Sequence, residues 1–299
     1  MYYDALKTFV QVVEEQSFSR AAEKLLISQP SVSVHIKNLE NEFQTKLFVR
    51  SPKTFQITPT GEILYQRAIQ MIQMYERAKR DIYEHHHLVK GLIKIGASFT
   101  IGEYTIPSFL AEMQADYPYL EFEIIIGNTD EIVELVKLFK VDIGLIEGQT
   151  NEKDLTIRPF LDDELVIIAP TFHPLTKKKE INEHELQNQN WITREKGSGT
   201  REFFDHVISA HGLKINHLMA ISSTQGIKEA VINGLGLALI SRSAVKRDHE
   251  HHLLSILDVK LGPFKRKFSI INSTTTEQQQ NINLLIDALN KRATKQAEK

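Results

Sequence analysis

At 299 residues the chain is long enough for two or three packed units, and its 41% hydrophobic and 25% charged residues are those of an ordinary globular protein. A formal net charge of −2 provides no global positive field for nucleic acid, and the lack of cysteine excludes a disulfide framework, a thiol redox sensor and a cysteine nucleophile. The opening MYYDALKTFVQVVEE mixes acids with its apolar residues, and no apolar run approaches the roughly 18 residues of a membrane span, so a cytoplasmic chain with neither signal peptide nor membrane contact is expected.

The first helix is expected over residues 4–15, where Leu6, Phe9, Val10 and Val13 recur at helical spacing. A second, short helix follows, with Ser19 as its expected N-cap and the small Ala21-Ala22 pair allowing a close helix crossing. Ile27-Ser28-Gln29-Pro30 ends it and starts a third over residues 29–42, since Ser28 can cap and proline is tolerated in a first turn. In that helix Val32, Ile36 and Leu39 point inward, which leaves Pro30, Ser33, Val34, Lys37 and Asn38 on the opposite face. Short polar groups, one exposed valine and a lysine suit base edges, a thymine methyl and phosphate, and two short helices joined by a tight turn match a major-groove reader. The alternative for this face is simple solvation.

Residues 47–58 predict two short strands around a basic turn, a wing that would present Arg50 and Lys53. Charge supports a local patch here. Between residues 16 and 60 the bases Arg20, Lys24, Lys37, Lys46, Arg50 and Lys53 outnumber Glu23, Glu40 and Glu42. The run of Phe9, Ser17-Phe18-Ser19-Arg20-Ala21-Ala22-Glu23-Lys24-Leu25, Ser28-Gln29-Pro30-Ser31-Val32-Ser33, Ile36-Lys37-Asn38-Leu39-Glu40, Leu47-Phe48-Val49-Arg50 and Thr58-Pro59-Thr60-Gly61 resembles the N-terminal signature of LysR-type transcriptional regulators. It is nearly ungapped, departing at Thr60, where alanine is common, and at the variable Val34 and His35. The resemblance implies base-edge contacts from Gln29, Pro30, Ser33 and Val34. It also implies phosphate or wing contacts from Ser31, Lys37, Arg50, Lys53 and Thr58.

Thr58-Pro59-Thr60 opens a long helix expected to reach about Val89. Leu64, Ala68, Met71, Tyr75, Ala78 and Ile82 follow alternating spacings of four and three, a heptad seam that asks for a partner helix. A homodimer would place two recognition helices on two half-sites; the alternative is packing on the helix's own domain. The resemblance adds dimers pairing into tetramers, an inverted-repeat promoter site in double-stranded DNA, and contact with RNA polymerase.

From about residue 90 the rhythm turns to alternating strands and helices, with strands at residues 92–97, 120–126 and 141–146 and helices at 101–117 and 129–140. A second α/β set follows, with strands at 164–169, 191–193, 220–222 and 236–240, and residues 266–271 and a last helix return to the first set. The expected fold is thus an α-helical winged helix-turn-helix domain (1–58), a linker and dimerisation helix (59–89) and a two-lobed α/β effector domain (90–299). Lobe I would hold about 90–162 and 266–295, and lobe II about 163–265. The last domain resembles periplasmic binding proteins. Its stretch from residue 91 through 147 and from 191 to 241 looks most like the CysL-like, sulfur-metabolism branch of the family.

Ligands of such sheets sit at the carboxyl ends of strands beside helix N-termini. Three segments qualify: Ser98-Phe99-Thr100, Asn128-Thr129, and Lys196-Gly197-Ser198-Gly199-Thr200-Arg201, whose glycines let backbone N–H groups converge. Each taken singly is equally well a helix cap; the resemblance brings all three to one cleft. Glu147 and Gly148 follow another strand towards the same place, where a carboxylate is awkward for a dianion and instead meets an amine or orders a basic side chain. The resemblance implies a small polar or anionic metabolite and no bound cofactor. Three consecutive histidines, His85 to His87, diverge by 100° each on a helix and cannot share one metal, and His249, His251 and His252 are expected in a solvated loop. No nucleophile elbow, zinc-protease or dinucleotide motif is present, so no catalytic residue is expected. A ligand-binding protein without DNA affinity is the competing class.

Overall fold

The computed structural model describes residues 2–51, 54–84, 89–148, 150, 152–273 and 280–297. The chain divides into two compact units, residues 1–87 and 88–299.

The first unit contains helices α1 (Tyr2–Glu15), α2 (Phe18–Leu25) and α3 (Gln29–Glu42), strands β1 (Phe48–Ser51) and β2 (Thr54–Ile57), and helix α4 (Pro59–Glu84). Its core joins Phe9 and Val12 of α1, Ala21 and Ala22 of α2, Val32, Ile36 and Leu39 of α3, and Leu64 and Ala68 of α4. Ala21 is fully buried, which is why two small residues stand where α2 crosses its neighbours. The cap of α2 is Ser17 rather than the expected Ser19: its side chain accepts from the Arg20 N–H, and Ser19 already lies inside the helix. Ser28 caps α3 by accepting from the Ser31 N–H, with Pro30 in the first turn as expected. β1 and β2 form an antiparallel hairpin pairing Phe48 with Ile57 and Ser51 with Thr54.

The second unit is built on one nine-stranded mixed sheet in the order β4-β3-β5-β11-β6-β9-β7-β8, with β10 (Leu254–Ile256) paired to β6. At one end β3 (Gly91–Ser98) runs parallel to β4 (Leu120–Gly127) and to β5 (Ile143–Glu147). Helix α5 (Ile106–Asp116) and the final helix α10 (Gln280–Ala297) pack on one face of this group, and α6 (Thr129–Lys137) packs on the other. At the far end β7 (Gln189–Thr193) runs parallel to β8 (Ile215–Ala220) and β9 (Leu237–Ser241). There α7 (Gly199–Ala210) covers one face, while α8 (Thr224–Ile232) and α9 (Arg242–Glu250) cover the other. Each parallel group with its helices is a lobe.

The lobes are joined by β6 (Leu155–Pro170) and β11 (Phe264–Ser273), an antiparallel pair in register from Phe264↔Leu165 to Ser273↔Leu155 with a bulge at Phe268/Ser269. Here the sequence reading falls short. A strand was expected only over residues 164–169; the ladder to β11 carries extended backbone from Leu155 through Pro159, Asp162 and Asp163 as well. The predicted helix over residues 101–117 is divided as well. A π-helical turn (Ile101–Thr105) precedes α5, whose first turn holds Pro107. The long helix was expected to reach Val89, yet its described part ends at Glu84, and Val89 packs against the core of the second unit.

A DNA-reading face and an effector cleft

In the first unit α3 buries Val32, Ile36 and Leu39 and turns Gln29, Pro30, Val34, Lys37 and Asn38 outward, with Val34 54% exposed. A single exposed valine is ordinary on a protein surface, and on this face it offers an apolar contact for a thymine methyl. Gln29 Nε2 donates to Ser33 Oγ at 3.0 Å, and the Ser28 and Ser31 hydroxyls are 2.8 Å apart, so the polar face is pre-ordered. His35 is tied back to Thr8 of α1 at 2.8 Å and is not part of it. Lys24 and Lys46 pair with Glu15 and Glu40 at 2.6 and 2.8 Å, which neutralises part of the basic patch. The Arg50 side chain and all of Lys53 lie outside the described residues. Thr58 has the capping role that the sequence also offered: its hydroxyl donates to Lys46 O at 2.7 Å and accepts from the Gly61 N–H at 2.9 Å at the start of α4.

The heptad seam of α4 also divides. Leu64 and Ala68, 7% and 0% exposed, belong to the unit's own core and cannot face a partner helix. Met71, Tyr75 and Ala78 are exposed, and Tyr75 stacks beside Tyr3 with ring centroids 4.5 Å apart. The side chain of Ile82 lies outside the described residues. Packing on its own domain accounts for the first half of the seam and leaves the second half open.

In the second unit the three predicted loops come together between the lobes. The Gly197 backbone carbonyl accepts from the Asp130 N–H at 3.2 Å, and Thr129 Oγ1 donates to Glu147 O at 3.0 Å. Two glycines make this approach feasible. Gly197 has φ +85° and lies so near Asp130 that a Cβ would stand 2.7 Å from its carboxylate; at Gly199 a Cβ would stand 2.2 Å from Glu147 O.

Glu147 is not a free ligand. It is 1% exposed, and it accepts from the Thr100 N–H at 2.9 Å, from Thr200 Oγ1 at 2.7 Å and from Arg266 Nη1 at 2.7 Å. Of the two roles open to it in sequence, it orders a basic side chain. Arg266 Nε also donates to Asp163 Oδ2 at 2.8 Å, and Ser241 Oγ donates to Asp163 Oδ1 at 2.6 Å. One arginine on a crossing strand thus holds carboxylates from β5 and β6 together with the first turn of α7. Burial pushes the Glu147 carboxyl up, but Arg266 and the Thr200 and Thr100 bonds outweigh it and hold it at about 2. Asp163 is raised, since burial and the nearby Glu147 charge exceed what its share of Arg266 and Ser241 can offset.

A second ionic group lies at the ends of β3 and β7. The Arg194 side chain, 2% exposed, grips Glu195 through Nε–Oε2 and Nη2–Oε1 contacts of 2.8 Å each, under the Phe99 ring at 4.3 Å. Its Nη1 points to Thr224 Oγ1 at 3.5 Å in the first turn of α8, and Asn128 Nδ2 reaches Glu195 across the cleft at 3.3 Å. Asn128 also caps α6 through a reciprocal bond with Glu131. Beside this group two buried hydroxyls have no hydrogen-bond partner: Ser98 Oγ and Thr193 Oγ1, on the residues just before Phe99 and Arg194. Such groups are costly to leave unmet and mark a place for a polar ligand or water. Further along, Lys228 of α8 pairs with Asp248 at 2.8 Å and lies over the Tyr104 ring of the opposite lobe.

Ser198 is buried without a side-chain cap bond, and Gly148 lies half-buried against the N-terminus of α7. Arg201 lines a pocket with Thr129, Gly197 and Ser198 and is held there by Asp205 at 2.9 Å and by Arg194 O at 3.2 Å. Thr193, Arg194, Glu195, Thr224, Asp163 and Arg266 escaped the sequence reading. For Arg266 a signal existed: at period two it shares a face with the buried Phe264 and Phe268. Thr193, Arg194 and Glu195 sit at the end of β7, Asp163 inside β6 and Thr224 in the first turn of α8, positions that no motif marks. Among the described residues no three His, Asp or Glu side chains group as metal ligands, and no helix is long and apolar enough to cross a membrane. His85, His86 and His87 lie outside them.

A helix-turn-helix unit joined to a two-lobed α/β unit with a polar cleft defines a transcriptional regulator rather than an enzyme. The model for the bacterial regulatory helix-turn-helix protein, lysR family, matches residues 3–62, and that for the LysR substrate binding domain matches residues 86–294. The chain belongs to the LysR family of transcriptional regulators. It is 57% identical to the HTH-type transcriptional regulator CysL of Bacillus subtilis (strain 168), over 97% of each protein. It is similar to the regulatory domain of CcmR from Synechocystis PCC6803 in complex with 2-PG, at 28% identity and TM-score 0.64, over 68% of this chain and 98% of that one. Full-length OxyR from Pseudomonas aeruginosa shares the fold, at 24% identity and TM-score 0.72, over 97% of this chain and 94% of that one.

Proposed function

We propose that this regulator controls genes of sulfur or cysteine metabolism in response to a small oxyanion held between the lobes of its second unit. The observation that carries the ligand is the pair of buried, unpartnered hydroxyls, Ser98 and Thr193, each one residue before a member of the Phe99–Arg194 pair at the ends of β3 and β7. Hydroxyls, a guanidinium and the first turn of α8 are donors suited to an oxyanion. The relation to CysL supports the pathway, and the CcmR domain is a relative solved with a small molecule, 2-PG. The protein acts in the cytoplasm as a dimer or tetramer on an inverted-repeat promoter and contacts RNA polymerase. Gln29, Pro30, Ser31, Ser33, Val34 and Lys37 meet the DNA, and Met71, Tyr75 and Ala78 meet a partner helix. The ligand works by favouring one lobe or subunit arrangement over another, which demands different affinities for the two.

The test is to recover sheared genomic DNA bound by the purified protein at moderate salt, sequence it, and repeat with sulfur oxyanions present. Enrichment of a few sulfur-gene promoters sharing an inverted repeat, shifted by an anion in the wild type but not in a Ser98→Val, Thr193→Val variant, is the expected result. Enrichment of unrelated promoters would overturn the pathway. An unchanged response in the double variant would overturn the cleft.

A further inference from the structure

We propose that Glu195 is a built-in competitor for the effector, occupying the Arg194 guanidinium until a free oxyanion displaces it. The exchange presupposes the effector cleft proposed above. Three observations carry it. First, the guanidinium fork is the planar surface that reads a carboxylate or similar oxyanion, and it is already filled by a carboxylate with two 2.8 Å contacts. Second, the two partners differ in freedom. Arg194 is 2% exposed, lies under Phe99 and has its carbonyl held by Arg201, whereas the Glu195 side chain is 25% exposed. Third, the charge count favours exchange over addition. Glu147, Asp163 and Glu195 stand against Arg266 and Arg194, so the two ionic groups already carry one excess negative charge. Lys228 is matched by Asp248 and leaves that excess unchanged.

An anion that simply joined the cleft would add a second uncompensated charge to a buried site, which is strongly opposed. If Glu195 leaves as a singly charged anion arrives, the charge of the site is the same before and after, and a dianion adds one negative charge instead of the two it would add without the exchange. Arg194 keeps both bonds, and the displaced carboxylate is solvated. The same exchange frees Asn128 Nδ2, which bridges the lobes to Glu195 at 3.3 Å, so it breaks one cross-lobe contact and offers the ligand a donor from α6. Ligand binding and lobe arrangement are then coupled through a single side chain. Glu195 sets the affinity threshold, and Arg194 sets the preference for anions.

The experiment is calorimetric titration of full-length wild type, Glu195→Ala, Arg194→Met and the double variant with sulfate, phosphate and acetate, acetate being the counterpart of the displaced side chain. Glu195→Ala should bind at least one of the three tenfold or more tightly than wild type, and adding Arg194→Met should abolish the gain. The emission of Trp191 and its unfolding midpoint check that the second unit is intact. Should Glu195→Ala fail that check, Glu195→Gln removes the charge at nearly constant volume and should show a smaller gain of the same sign. Equal affinity of wild type and the Glu195 variant would overturn the competition, as would no binding of any probe to that variant. Failure of the cleft itself reads differently: affinity would then be indifferent to Ser98→Val with Thr193→Val.

Discussion

Replacing Arg266 with methionine removes the basic partner that two buried carboxylates share, 2.7 Å from Glu147 and 2.8 Å from Asp163. Breaking a buried pair from one side costs about 3–5 kcal/mol, because the charge left behind has neither water nor a partner. Two carboxylates are orphaned here, but either can escape the penalty by binding a proton, so the cost at pH 8 should stay near about 4 kcal/mol rather than double. The sign with pH is decisive. In the wild type Glu147 is held at about 2 against an ordinary 4.5, so its contribution is complete above 4.5 and is lost as pH falls towards 2. Without Arg266 both acids have raised values in the folded state, so the variant gains stability as pH is lowered from 8 to 5, relative to wild type. Urea unfolding of the full chain, followed by emission of Trp191, reports on the second unit alone. It is the protein's one tryptophan, 2% exposed and 5.4 Å from the Phe204 ring. A triple variant with Glu147→Gln and Asp163→Asn added should recover most of the loss, since no charge then remains to desolvate. A cost under about 1 kcal/mol at pH 8, or one that grows on acidification, would refute the reasoning.

Gly199→Ala places a methyl 2.2 Å from Glu147 O and must push the lobes apart; a loss of about 1–3 kcal/mol in the same unfolding assay is expected, with a weakened response to ligand. Lys37→Gln should weaken binding to all DNA sequences alike and lower the salt slope by about 1, whereas Val34→Ala should change base preference and leave the slope intact; binding isotherms at several salt concentrations separate the two. Met71→Glu with Tyr75→Glu should shift sedimentation towards smaller species, while Leu64→Ala should instead unfold the first unit, because Leu64 is in its core.

The first unit was legible because its signals are local. The cap Ser28, the proline after it and the inward set Val32, Ile36 and Leu39 lie within one helix and obey one period, so faces follow from spacing alone. The same reasoning overreached on α4, where period shows which residues share a face but not what covers it: Leu64 and Ala68 are covered by α1 and its neighbours, whereas Met71 stays exposed and Tyr75 keeps half its surface open beside Tyr3. Thr58 shows the limit at a single atom, since a hydroxyl that fits phosphate equally fits a helix end.

For the second unit, alternation of strand and helix settled the layered architecture, and strand ends followed by Ser, Thr, Asn or Gly marked the cleft. The partners inside the cleft were decided by tertiary structure. Arg266 and Glu147 are 119 positions apart and Phe99 and Arg194 are 95 apart, and no local pattern encodes such a meeting. Burial faces and element types depend on neighbours three or four residues away, so composition and period determine them; which charge neutralises which depends on where a sixteen-residue crossing strand delivers its side chains, and only the folded sheet determines that.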